Sequence, residues 1–194
     1  MAACGVKKQM SRDTTLPASR AMLTGQERLL KYKTLAVAFS YPEGAFFDFF
    51  PSLTSEKQEL QFAYDRIFRS GEVWLYGLEY MAENEFQRAH GLADISGFYK
   101  AFAVETDSDR PDALNAELEF MHYLIHKEIR TKDKDKVLVC FDAQKKFFNE
   151  HLYPAGEKIA QAVISKAEES FYAQAASEML DFLKNEERLY SQNK

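Results

Sequence analysis

From Leu29 onward the apolar residues of this chain recur at intervals of three and four, the repeat of a helix that buries one face. The first stripe passes through Leu29, Tyr32, Leu35, Ala36 and Phe39. Thr24 and Glu27 have the spacing of a capping box, so a helix is predicted to begin at Thr24 and to end at Tyr41-Pro42. Ala45 to Phe50, between Pro42 and Pro51, suits a brief helix. Ser55 to Ser70 carries a second long stripe of Leu60, Ala63, Tyr64, Ile67 and Phe68, with Gly71 placed to stop it. A fourth segment carries Val73, Trp74, Leu78, Tyr80 and Met81, and Gly91 separates it from a stretch with Leu92, Ile95, Phe98, Tyr99 and Phe102. The polar, acidic residues 104–109 read as a loop joining two halves of a bundle.

The clearest helix is predicted from Pro111 to about Arg130, opened by proline in its first turn and striped by Leu114, Leu118, Met121, Leu124 and Ile125. The charged run Lys132 to Lys136 reads as a solvated turn. Val137 to Phe148 follows, then a break at Pro154, then stripes through Ile159, Val163 and Ala167 and through Phe171, Ala176, Met179, Leu180 and Leu183. Val137 to Cys140 favours strand locally, but no second run offers a partner, and an isolated strand leaves its backbone unsatisfied. The expectation is an all-α, single-domain bundle of roughly eight to ten helices over residues 23–190, preceded by a mobile tail over residues 1–22.

Composition narrows the function. The 46% hydrophobic and 28% charged fractions are those of a globular chain. Sixteen Phe and ten Tyr exceed what a small core usually needs, which leaves some rings for lining a groove. A net charge of −5 disfavours nucleic acid and suits a cationic partner. Cys4 and Cys140 are the two cysteines, far apart, implying neither a disulfide framework nor a zinc site. No apolar run reaches transmembrane length and no apolar stretch of a secretory signal stands near the start, so a cytoplasmic location without stable membrane insertion is expected.

Several chemistries can be weighed on spacing. Glu119 and His122 form one Glu-x-x-His pair, with His126 a turn further along the same face, but a di-iron bundle needs two such pairs and further carboxylates. His90 and His151 have no carboxylate at that spacing. There is no Gly-x-Ser-x-Gly elbow, Walker loop or dinucleotide fingerprint. The expectation is a protein that is not an enzyme and carries no cofactor. The informative stretch is 107–123, where Asp109, Arg110, Pro111 and Asp112 sit at a helix entrance. The helix dipole accounts for Asp112. It does not account for Glu117, which shares an apolar face with Leu114, Met121 and Leu124 and needs a partner.

Four blocks resemble those of the TorD/DmsD/NarJ family of cytoplasmic chaperones for molybdenum-containing oxidoreductases: residues 35–43 (LAVAFSYPE), 97–102 (GFYKAF), 110–121 (RPDALNAELEFM), and His151-Leu152 followed by Phe171-Tyr172. Two positions depart from the family pattern. Ala113 stands where a His usually follows the Asp of the central motif, and Pro154-Ala155 stand where many members carry Trp after His-Leu.

The resemblance implies a TorD-like helical chaperone. Its partner would be the apo catalytic subunit of a molybdopterin oxidoreductase of the DMSO reductase type, often bound through its twin-arginine leader peptide, with export delayed until cofactor insertion. A receptor for two guanidinium groups followed by an apolar segment needs carboxylates beside rings. The expected partner-binding residues are Tyr41, Pro42, Trp74, Phe98, Tyr99, Asp109, Arg110, Pro111, Asp112, Glu117, Phe120 and Met121. Asp112 and Glu117 would contact the partner's arginines or fix the loop that does; the competing reading has Asp112 capping its helix, Glu117 paired with Arg110, and the rings in the core. A non-catalytic adaptor or redox-complex subunit, and a metal-binding helical enzyme, are the alternative functions. Relatives include monomers and domain-swapped dimers, and the loop 104–109 is the candidate hinge.

Overall fold

The computed structural model describes residues 23–105, 109–167 and 170–192. The expected tail and residues 106–108 of the expected hinge loop lie outside the described residues. Among those described there are nine α-helices and no strand. α1 (Gly25–Ala38) begins at the anticipated capping box: the Glu27 N–H donates to Thr24 Oγ1 at 3.3 Å and the Thr24 N–H donates to Glu27 Oε2 at 2.8 Å. α2 (Ala45–Phe49) is the brief helix between prolines. A 3₁₀ turn (Pro51–Glu56) leads into α3 (Lys57–Tyr64), which widens into a π-helical turn at Asp65–Arg69. Gly71, at φ +87°, then lets the chain reverse, as its position predicts.

Residues 73–81 depart from the helical expectation. Only α4 (Leu78–Met81) is helical there. Residues 75–77 stay outside the helix because they pair with 112–114: the Leu114 N–H donates to Leu75 O at 2.8 Å and the Gly77 N–H to Asp112 O at 2.9 Å. The same pairing holds Ala113 extended, after the turn through Pro111 and Asp112, so α6 (Leu114–Arg130) starts three residues after Pro111. Nor does Gly91 separate two elements. α5 (Glu85–Ala101) runs straight through it, and the glycine is there for clearance: a Cβ at this position would stand 2.7 Å from Leu78 Cδ2.

α7 (Lys134–Phe147), capped by Asp133, absorbs the strand-favouring run 137–140. Pro154 does not break the chain. A π-helical turn (Phe148–Leu152) carries α7 into α8 (Tyr153–Lys166), and Pro154 sits in the first turn of α8, where its missing N–H costs little. α9 (Phe171–Gln192) completes the described chain.

α6 is the centre of the bundle, with α1 and α7 packed on it and α8 packed on α9. Most rings meet one another inside. One cluster joins Phe46, Phe171, Tyr172, Tyr64 and Phe68 across α2, α3 and α9; another joins Tyr99, Phe120 and Phe147 across α5, α6 and α7. α1 also carries a charge into the interior. The buried Arg28 donates from Nε to Glu186 Oε1 at 2.8 Å and from Nη2 to Glu186 Oε2 at 2.9 Å, to Gln144 Oε1 at 3.1 Å and to the Tyr190 hydroxyl at 2.5 Å. Tyr32 adds its hydroxyl to Glu186 at 3.0 Å, so α1, α7 and α9 share one polar knot.

Candidate functional site

The Arg110-Pro111-Asp112 turn is where separate elements converge. Asp112 is 0% exposed, a costly place for a carboxylate unless its oxygens are fully used. They are: Oδ1 accepts from Arg110 Nε at 2.9 Å, and Oδ2 accepts from Arg110 Nη2 at 3.0 Å and from the Leu78 N–H at 3.1 Å. Asp112 therefore caps α4, not its own helix. Arg110 reaches further, to Glu79 Oε1 at 3.0 Å, which also accepts from Arg88 of α5 at 3.1 Å. Its guanidinium lies 3.9 Å from the centroid of Tyr76, and Tyr76 stands 6.5 Å from Trp74. Beneath the turn the Tyr99 hydroxyl donates to Pro111 O at 2.8 Å.

Beside this clamp lies a cleft of about 30 Å³, lined among others by Gly77, Leu78, Met81, Glu117, Glu150 and His151. That is room for about one water or ion. Glu117 is 2% exposed, and no described residue donates a hydrogen bond to it. Burial pushes its carboxyl well above the usual range, and the Asp112 charge pushes the same way. Burial likewise raises the Tyr99 hydroxyl, with Glu117 and Asp112 adding to it. Burial lowers His151, against the opposing pull of Asp94.

The buried Glu117 makes stability depend on pH with a definite sign. Between the ordinary carboxyl value of 4.5 and its raised folded value, the native chain keeps a proton that the unfolded chain has released. Stability from this group is complete below 4.5 and is lost as pH rises through the folded value. Glu117→Gln keeps the shape without the charge. It is expected to match the wild type at pH 4 and to gain on it at pH 6 and 8, by about 1.4 kcal/mol for each tenfold rise in proton affinity. Urea midpoints at the three pH values measure this; a variant less stable at pH 8 than at pH 4, relative to wild type, overturns it.

The anticipated site residues fall into three groups. Trp74 and Asp109 are exposed, and Tyr41, Phe98 and Arg110 are partly so. Pro42, Tyr99, Pro111, Asp112, Glu117, Phe120 and Met121 are buried, because α6 turns Glu117, Phe120 and Met121 inward and the turn draws in Pro111 and Asp112. Contacts link Trp74, Arg110, Pro111, Asp112, Tyr99 and Phe120 in one series, continued to Phe98 through Phe147. Tyr41 packs 5.3 Å from Tyr64 and 4.1 Å from the Arg69 guanidinium, and Pro42 O accepts from Gln61 Nε2 at 3.0 Å. Glu119 pairs with Lys33 at 2.5 Å and His122 Nδ1 lies 2.9 Å from Leu29 O, so both members of the Glu-x-x-His pair, which spacing did not favour as a metal site, have partners of their own.

Sequence reading missed Tyr76, Glu79 and Arg88, whose link to Arg110 exists only in three dimensions. It passed over His151 because its carboxylates are the adjacent Glu150 and Asp94 of α5. The Glu150-His151 doublet was the available signal.

The chain is thus an all-helical domain organised round a buried Arg-Pro-Asp turn. Residues 43–156, more than half of the 194, match the family model described as nitrate reductase delta subunit, and the chain belongs to that family, the NarJ/TorD-type maturation chaperones of molybdoenzymes. The match takes in the central blocks 97–102 and 110–121 and the His151-Leu152 pair. The family is one of assembly factors, not of catalysts. No curated protein matches the chain. No helix among the described residues is long and apolar enough to cross a membrane.

Proposed function

We propose that this chain is a cytoplasmic chaperone that binds the apo catalytic subunit of a molybdopterin oxidoreductase of the DMSO reductase type, through its twin-arginine leader, and assists cofactor insertion before export. The observation that carries the reading, beyond the family, is the surface around the Arg110 turn. Trp74 is 48% and Phe86 82% exposed, and Met81 is exposed too, large apolar side chains on the segments either side of Glu79, the partner of Arg110. Asp109, Glu83 and Glu85 are exposed acids in the same two stretches of chain. Arg110 already shows the chemistry within the chain, a guanidinium held between a ring and carboxylates. Asp112 is committed to Arg110 and Leu78, which favours the role of fixing the loop over that of touching the partner.

The test is calorimetric titration with a synthetic twin-arginine leader peptide. Trp74→Ala is expected to weaken binding about tenfold, as removal of an exposed aromatic anchor does. Asp109→Asn should weaken it less, and more visibly at low salt. Leu138→Ala, an exposed apolar change on α7, serves as control. A peptide with both arginines replaced that binds as well, with Trp74→Ala indistinguishable from the control, would sink the proposal. A second reading, in keeping with a family of nitrate reductase delta subunits, is a permanent component of the mature enzyme, which predicts stoichiometric copurification with it.

A further inference from the structure

We propose that Asp94 of α5 together with Glu150 and His151 of the second π-helical turn form a binding site for a divalent transition-metal ion, zinc being the best chemical match. The three residues bring one nitrogen and two carboxylate oxygens within 4.8 Å of one another. Atoms bound to one zinc, each at about 2.1 Å, stand about 3.0 to 3.5 Å apart, so the cluster needs only a small contraction. His151 Nε2 is already 2.9 Å from Asp94 Oδ2. Nε2 touches the Asp94 carboxylate without being aligned for a full hydrogen bond, and it is enclosed, on a side chain only 9% exposed. A buried nitrogen placed against a carboxylate but not aligned with it is poorly used by an ion pair and well used by a shared cation.

The surroundings agree. Phe98 and Phe147, themselves in contact at 5.3 Å, pack together against the imidazole with centroids 5.6 and 5.4 Å away, which limits its directions. Asp94 and Glu150 are about half exposed, which provides an entry path. Lys146 is the competing cation, but it stands 3.9 Å from Glu150 and is largely in solvent, so it yields readily. Imidazole plus carboxylate selects zinc over magnesium or calcium. Glu150 and His151 also line the cleft beside Glu117, a second buried group without a hydrogen bond there. The inference does not depend on the proposed client.

The experiment is zinc titration by calorimetry on the chelator-stripped full chain, repeated with cobalt to read the visible bands of an imidazole-carboxylate site. One equivalent is expected, with a metal-dependent rise in Tm. Asp94→Asn and Glu150→Gln, both at half-exposed positions, are each expected to lower affinity at least about tenfold. His151→Gln should abolish the cobalt bands; since His151 packs against two rings, its circular dichroism is checked, and the two carboxylate variants carry the test if it fails to fold. No zinc binding, binding indifferent to Asp94→Asn and Glu150→Gln, or binding lost instead in a His122→Gln variant would each overturn the site.

Discussion

Replacing Glu186 by Ala is expected to cost about 3 to 5 kcal/mol, enough to remove a large share of the stability of a domain this size. The loss comes from what remains. Arg28 stays in the interior with its guanidinium deprived of a bidentate partner, and Tyr32 loses its acceptor. Arg28→Ala should cost a similar amount by stranding the Glu186 carboxylate. The pair itself contributes far less, since bringing both charges out of water offsets most of their attraction. The double variant Arg28→Ala/Glu186→Ala is therefore expected to lose much less than the sum of the single losses. Urea midpoints at pH 7, with unchanged slopes, give the coupling. Additive losses would show that the two charges do not depend on each other.

This knot marks the limit of what could be read along the chain. Helix α1 was legible because its cap and stripe are local, and α6 because one face repeats over four turns. Arg28 lies on the buried face of α1, one turn before Tyr32, but its partner is 158 residues away, and periodicity says nothing of which charge will meet it. Residues 73–81 misled for the same reason. Their apolar spacing is compatible with a helix, but the backbone of 75–77 is claimed by residues 112–114, a pairing that local propensity cannot register. The Arg110-Pro111-Asp112 turn stood out in the sequence because acids, proline and arginine crowd one helix entrance. Its wiring did not, because the capped helix is α4, from another part of the chain. The interior location of Tyr99 and Phe120 was equally hidden: rings of a groove and rings of a core have the same spacing on a helix.

Asp112→Ala is the second large effect, about 3 kcal/mol, and its interest is that the loss should be local before it is global. Two charge-assisted bonds to Arg110 disappear, each of the class that contributes about 1.5 to 3 kcal/mol, but Arg110 is partly exposed and keeps Glu79, which returns some of that. The Leu78 N–H loses its acceptor inside the protein, a further cost of about 1 to 3 kcal/mol. Asp112→Asn should cost less, since one oxygen still accepts, while its amide donors face the donors of Arg110. The backbone pairing of 75–77 with 112–114 depends on this carboxylate to hold the start of α4 in place. Hydrogen exchange should therefore quicken first at the Gly77, Leu78 and Leu114 amides, while amides in the middle of α6 and α9 follow only the global change. If exchange rises uniformly along the chain, Asp112 is an ordinary core contributor. If it rises at the turn alone, then Trp74 and Asp109, the exposed residues at its two ends, are positioned by a buried acid that no partner needs to touch.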